Sequence, residues 1–404
     1  MKNGNTNFDF LILGAGIVGL TIARELKSRF PDQSILILEK ELMVGLHSSG
    51  RNSGVLHSGI YYPPESYKAK FCAQGRIAMT EFCLEHKLPF REIGKILIPT
   101  RPEEASQISL LYERGGKNGV VVERLNKSDL SRLEPEAQSA TGDALFVPVT
   151  SIANPKLVIK KMAEVLTGGG VTICYGAKPE FIDPVAKRVV TKDQEYSYGT
   201  FINTSGLHAD TVAHQFGVGR DYTLLPFKGL YWKLDPASGI KLNHLIYPVP
   251  DLRVPFLGVH TTTNTEGDVY FGPTAVPAFG RENYKLLEDV NFLEASKFLK
   301  LIGIQVLTGR QGFRRLAWQE GRRYMKPWFW QAAKSIVPRL KMTNLLPCDK
   351  VGIRAQMYHL PTGQLANDFV VEKAENSVHI LNSISPAWTC SIPFAKMIVD
   401  QYIQ

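Results

Sequence analysis

The chain is poor in cysteine and has no long apolar run and no internal repeat. Its five cysteines (Cys72, Cys83, Cys174, Cys348, Cys390) among 404 residues are odd in number, widely spaced and never paired as CxxC. That excludes a disulfide scaffold and a structural zinc and points to a reducing compartment. No stretch approaches the roughly 18 consecutive apolar residues of a membrane span, and residues 1–7 are too short and polar for a signal peptide. Any membrane contact is therefore expected to be peripheral. The 34 glycines and 24 prolines follow no period, which excludes collagen and low-complexity tails. Acidic residues are the minority, 38 against 47 Lys and Arg. Between Arg310 and Lys341 nine basic residues face Glu320 alone, so nine minus one, +8, of the net +9 lies in this stretch. The remainder is nearly neutral, and a chain-wide nucleic-acid groove is not expected. No spacing resembles a metal cage, there is no GxSxG, and Cys72 has no histidine partner in sequence, so metal and hydrolase readings find no support.

What is present begins with an apolar run, Phe8 to Leu13, followed by "GAGIVG", the helical stretch "LTIARELKSRF" and a second apolar run, "SILILEK". Buried parallel strands read as continuous apolar runs, so the order predicts a βαβ unit. Gly14, Gly16 and Gly19 carry the spacing of a dinucleotide fingerprint: one glycine for the turn, one for backbone approach to the pyrophosphate, one for helix packing. Ile17 and Val18 open the helix whose unpaired N–H groups would face the phosphates. Glu39, followed by Lys40, ends the second strand 20 residues after Gly19, where a carboxylate accepts from ribose hydroxyls and repels a 2'-phosphate. One fingerprint only, near the start of the chain and followed by the polar "GLHSSGRNSGVLHSGIYY", favours FAD over NAD.

Further along, helical patterns are expected at 65–86, 154–167, 208–216, 286–302, 328–337 and from about Ser391 to Tyr402. Strands are expected at 94–100, "VTICY", 198–206 and "SVHILNS", with short aromatic-rich strands from Leu224 to Phe271. The fold class is α/β: a discontinuous Rossmann-like FAD-binding domain (1–89, 151–222, 347–404) with an inserted mixed or antiparallel-sheet substrate domain (90–150, 223–346).

The strings "RNSGVLHSGIYY", "SYKAKFCAQG", "PFKG", "LIYPVPDLRVPFLGVHTT", "FGPTAV", "GIRAQ" and "DF" at 368–369 run through nearly the whole chain in order. Together they resemble the L-2-hydroxyglutarate dehydrogenase/oxidase family, within the D-amino-acid-oxidase-like, or glycine-oxidase-like, FAD-dependent oxidoreductases. The resemblance implies an FAD enzyme that oxidises L-2-hydroxyglutarate to 2-oxoglutarate by hydride transfer to flavin N5. It also implies electrons passed to quinone or another acceptor, and a cytoplasmic protein peripheral on the cytoplasmic face of the inner membrane. Oxidation of another L-2-hydroxy acid or an amino acid, or a flavin-binding scaffold without turnover, are the alternatives. Three places depart from the family pattern: Arg51, the stretch 310–341, and the bulky Trp388 where a small residue is usual.

Removing the hydroxyl proton calls for a base near neutrality, for which His57 and His260 are the candidates. Arg354 is proposed as a carboxylate clamp or flavin contact, with Tyr62 and Lys228 as further substrate contacts. His47, Ser48, Ser49, Arg51, Asn52 and Ser53 offer polar groups to the cofactor, Ala177 a backbone contact to adenine, and Gly206 a turn close to the pyrophosphate. Ser385, Pro386, Ala387 and Trp388 precede a terminal helix whose N-terminal end would face the flavin. The basic stretch with Trp318, Trp328 and Trp330 fits either an anionic bilayer or a solvated helix packed by its tryptophans.

Overall fold

The computed structural model describes residues 6–252, 256–285 and 288–403. Arg253–Pro255 of the "LIYPVPDLRVPFLGVHTT" string and the first two residues of the helix expected at 286–302 lie outside them. The chain divides into two compact units, one of residues 1–52, 155–226 and 354–404, the other of residues 53–154 and 227–353.

In the first unit, β1 (Asn7–Leu13), the helix α1 (Ile17–Arg29) and β2 (Ile35–Leu38) form the expected βαβ motif, with β1 and β2 parallel. β1 also pairs in parallel with Glu195–Asn203, and β2 with Thr172–Cys174, so the later strand does return to the first sheet. Ser377–Asn382 extends the parallel set, while Pro179–Asp183, Arg188–Thr191 and Val370–Ala374 are antiparallel additions to what is, among the described residues, an eight-stranded sheet. Leu11, Ile12, Leu36, Ile37, Phe201 and Ile202 are fully buried, as strands covered on both faces require. The terminal helix Ala387–Tyr402 packs on α1 and starts four residues earlier than expected. Pro393 suggests a first-turn position, but it lies in the second turn.

The second unit holds the mixed sheets. Lys95–Ile98 is central, parallel to Leu245–Pro248 and antiparallel to Ala144–Val147, which pairs with Glu123–Leu125. A five-stranded sheet takes in His260–Thr263, Val269–Gly272, Phe227–Leu234, Val276–Pro277 and Leu345–Arg354. Ile246 N–H donates to Thr261 Oγ1 at 2.7 Å, tying the edges of the two sheets together.

The first expected boundary moves. Residues 53–89 belong to the second unit, because Val55–Leu56 and Phe90–Glu92, which flank the helix Tyr67–Glu85, both pair with Ser151–Ala153. Asn118 fastens the loop between them, its Nδ2 donating to the carbonyls of Gly59 and Tyr62, both at 2.9 Å. The helix expected at 286–302 spans Phe292–Thr308, and the one expected at 328–337 spans Lys326–Lys334. The helix Ala105–Lys117 was not anticipated, and the basic aromatic stretch is helical over Phe313–Arg323 as well as Lys326–Lys334.

Candidate active site

The glycine turn has the geometry its spacing requires. Gly14 has φ of +106°, and a Cβ there would come 2.7 Å from the Thr204 carbonyl oxygen. At Gly19 a Cβ would sit 2.1 Å from the Gly14 carbonyl oxygen, so the close passage of α1 over β1 excludes any side chain. Gly16 caps α1 without a side-chain bond, and no acidic residue occupies the first turn. The positive end of the helix is thereby left unopposed, with Ile17 N–H donating to Ser49 Oγ at 3.0 Å. Glu39 is buried at the end of β2; its carboxylate accepts from Ala15 N–H at 2.9 Å and Glu41 N–H at 3.0 Å. Each carboxylate oxygen can accept more than one hydrogen bond, so both N–H contacts are compatible with a ribose partner.

The polar loop after β2 is internally bonded. Glu41 accepts from Lys40 Nζ at 2.8 Å and contacts His47 Nε2 at 2.9 Å, and these partners, Lys40 first, hold its carboxyl below the usual range. Arg51 Nε donates to the Leu46 carbonyl at 2.6 Å and Asn52 Nδ2 to the Ser49 carbonyl at 2.6 Å. Ser48 and Ser49 lie in the turns between, while Ser53 begins the second unit. Ala177, expected at the adenine, gives its N–H to the Glu39 carbonyl at 2.8 Å. Gly206 turns the chain at φ +56°, two residues after Thr204, whose Oγ1 donates to the Leu13 and Gly14 carbonyls at 2.9 and 3.0 Å. Ser385 is exposed, whereas Pro386, Ala387 and Trp388 are buried where the terminal helix begins. Arg354 ends the strand Leu345–Arg354 half-buried and falls in the first unit.

The second unit gathers a different set. His57 follows the short strand Val55–Leu56, and its carbonyl accepts from Cys72 Sγ at 3.2 Å. Burial first, then the charge of Lys95, then His260, push His57 down to about 3. The base expected near neutrality is therefore found as a neutral imidazole well below it. His260 begins the strand His260–Thr263, stacks on Tyr247 with ring centroids 3.9 Å apart, and bonds the Gly258 carbonyl through Nδ1 at 2.7 Å. A carbonyl only accepts, so Nδ1 carries the proton and Nε2 is the ring acceptor.

Lys95 completes the group, and sequence reasoning missed it. Its Nζ lies 4.5 Å from the Tyr61 ring and 5.3 Å from the Tyr247 ring. Tyr62 stands beside Tyr61, its ring 5.7 Å from Lys68 Nζ. Lys228, expected at the substrate, spends its ammonium on Asn283 Oδ1 at 2.8 Å and the Lys285 carbonyl at 3.3 Å.

A glycine turn with Glu39 in place, on the first unit's parallel sheet, is the arrangement that holds a dinucleotide. The FAD-dependent oxidoreductase family, DAO, matches residues 9–401. The chain belongs to the FAD-dependent oxidoreductases. This oxidoreductase is similar to the L-2-hydroxyglutarate dehydrogenase of Escherichia coli (strain K12), 35% identical over 398 residues that cover 98% of this chain and 93% of that protein. It is 36% identical over 403 residues to the L-2-hydroxyglutarate dehydrogenase of Indibacter alkaliphilus, with 98% of each covered. Its fold is that of the FAD-bound L-α-glycerophosphate oxidase of Mycoplasma pneumoniae, with a TM-score of 0.75 at 21% identity over 97% of this chain and 94% of that one. The cofactor of the oxidoreductase is FAD, and the unopposed α1 terminus, the cradle at Gly16 and buried Glu39 fit its diphosphate and ribose.

Proposed function

We infer that this oxidoreductase converts L-2-hydroxyglutarate to 2-oxoglutarate. The observation that carries the reading is a chain 35% identical, over 98% of its length, to a dehydrogenase of that substrate, with two neutral-capable histidines clustered in the second unit. When bound, FAD supplies the two-electron acceptor for the hydride. The chain's own residues manage the proton. As the C2–H bond breaks and its electron pair leaves, the hydroxyl proton goes to a histidine nitrogen and the C–O bond becomes a carbonyl. His260 is the better prepared base, since the Gly258 carbonyl fixes its proton on Nδ1 and directs acceptance to Nε2. His57, held down to about 3, is the neutral neighbour. Arg354 remains our proposal for a carboxylate or flavin contact.

For the acceptor we propose a quinone, reached from the cytoplasmic face of a membrane. No helix among the described residues is long and apolar enough to cross a bilayer. In the basic stretch Trp318 is 67% exposed, near exposed Arg310, Arg314 and Arg315. The other end is packed: Phe329, Ala333, Ile336 and Val337 are fully buried, and Trp330 Nε1 donates to the Leu340 carbonyl at 2.9 Å. Arg339 pairs with Glu136 at 2.7 Å. The proposed contact is therefore the Arg310–Trp318 end.

The reaction is tested by mixing the yellow holoenzyme anaerobically with L- and D-2-hydroxyglutarate, L-lactate, L-malate, glycine and L-proline. Bleaching of the visible flavin band by L-2-hydroxyglutarate foremost is expected. Bleaching by another acid, with L-2-hydroxyglutarate inert, would replace the substrate. No bleaching by any of them would favour the scaffold.

A further inference from the structure

We propose that Lys95, together with the hydroxyls of Tyr61 and Tyr247, is the receptor for a carboxylate of the substrate; this rests on the 2-hydroxy-acid reading above. The register of the central sheet creates the position. Lys95 lies opposite Leu245 and Val147, and Leu97 opposite Tyr247 and Leu145. Alternation along the strand puts Lys95 on the face of Leu97. That face is an apolar cluster containing Val55, Ile60, Tyr61, Leu145, Val147 and Tyr247.

A lysine at the start of a strand ordinarily runs its stem along the surface and keeps its ammonium in water. Lys95 does not, being 0% exposed. Its Nζ has no hydrogen-bond partner among the described residues, and neither has the hydroxyl of Tyr61 or of Tyr247. The two tyrosine faces recover only part of the hydration that a buried ammonium loses. Among the described residues, Cys72 and His57 are coupled electrostatically to Lys95 and His260 to His57, and none of the three is a carboxylate. Three buried groups able to donate, with no hydrogen-bond acceptor among the described residues, complement an anion with two acceptor oxygens. A carboxylate arriving there would also oppose one of the charges that keeps His57 low, so binding and readiness to take a proton are linked.

The test is binding, read from the visible spectrum of the holoenzyme as the product 2-oxoglutarate is added. Lys95→Met should weaken binding by about tenfold or more, and Lys95→Arg by less. Wild-type affinity should fall as pH rises through about 8, the value to which burial pushes Lys95, because the anion selects the charged amine; K95R should lack this limb. FAD content should be unchanged, and K95M should melt no lower than wild type, since it removes a desolvated charge from an apolar cluster. A titration with the 5-amide of 2-oxoglutarate separates the two carboxylates. Equal weakening by K95M for both ligands assigns Lys95 to the carboxylate beside the reacting carbon; weakening for 2-oxoglutarate alone assigns it to the distal one. K95M binding both as wild type does, with FAD retained, overturns the proposal and leaves the reaction standing. If a different 2-hydroxy acid bleaches the flavin, the substrate assignment fails, and the same comparison with that acid's oxo product still decides on Lys95. If no carboxylate binds the wild type, both fall.

Discussion

His260 and His57 share one cluster, yet their surroundings prepare them for different work. A carbonyl fixes the tautomer of His260, while burial and the charge of Lys95 keep His57 unprotonated down to about 3. His260→Gln should therefore lower the anaerobic rate of flavin reduction by about 10²-fold or more, and His57→Gln by distinctly less, with FAD content preserved in both. Rapid mixing with L-2-hydroxyglutarate measures this, and a larger loss in H57Q would exchange the two roles. Both histidines were singled out in the sequence because each stands where an apolar run meets polar residues and glycine. Lys95 was not. It heads the run "KILI", and a lysine at that place reads as a solvated strand end until the pairing with Leu245 and Val147 shows it to be enclosed. Lys228, read as a substrate contact, donates to Asn283 Oδ1, which lies 55 residues further on and leaves no local signature.

The turn between β1 and α1 was legible almost atom by atom, since its constraints are local and fall on glycines. Gly16→Val tests its role. A Cβ at Gly16 comes 3.0 Å from Ser49 Oγ, and the branched methyls would extend further into the same space. The purified variant should carry much less FAD than wild type, measured by absorbance after mild denaturation; an equal content would remove residues 14–19 from the cofactor site. One amphipathic helix escaped the sequence. Ala105–Lys117 buries Ile108, Leu111 and Gly115, spaced i, i+3 and i+7 on one helical face, so its periodicity was present and was not read.

The alternation of two units along one chain was foreseen in kind, but the first boundary was misplaced because the partner of Val55–Leu56 is Ser151–Ala153, almost a hundred residues away. Contacts of that range leave no local signature. The charge asymmetry, by contrast, is visible in sequence, and the fold divides it into a packed portion and an exposed one. Replacing Arg310, Arg314 and Arg315 by Gln should reduce flotation with anionic liposomes at low salt while leaving flavin reduction by substrate unchanged. Wild type recovered wholly in the soluble fraction, with anionic and neutral vesicles alike, would eliminate the membrane contact. The reaction itself is tested most directly by anaerobic titration of the holoenzyme with L-2-hydroxyglutarate, following the flavin spectrum and assaying the product. Full bleaching with one 2-oxoglutarate formed per flavin reduced is the expected result; an oxidised spectrum at saturating L-2-hydroxyglutarate, in enzyme that another hydroxy or amino acid does bleach, would contradict it.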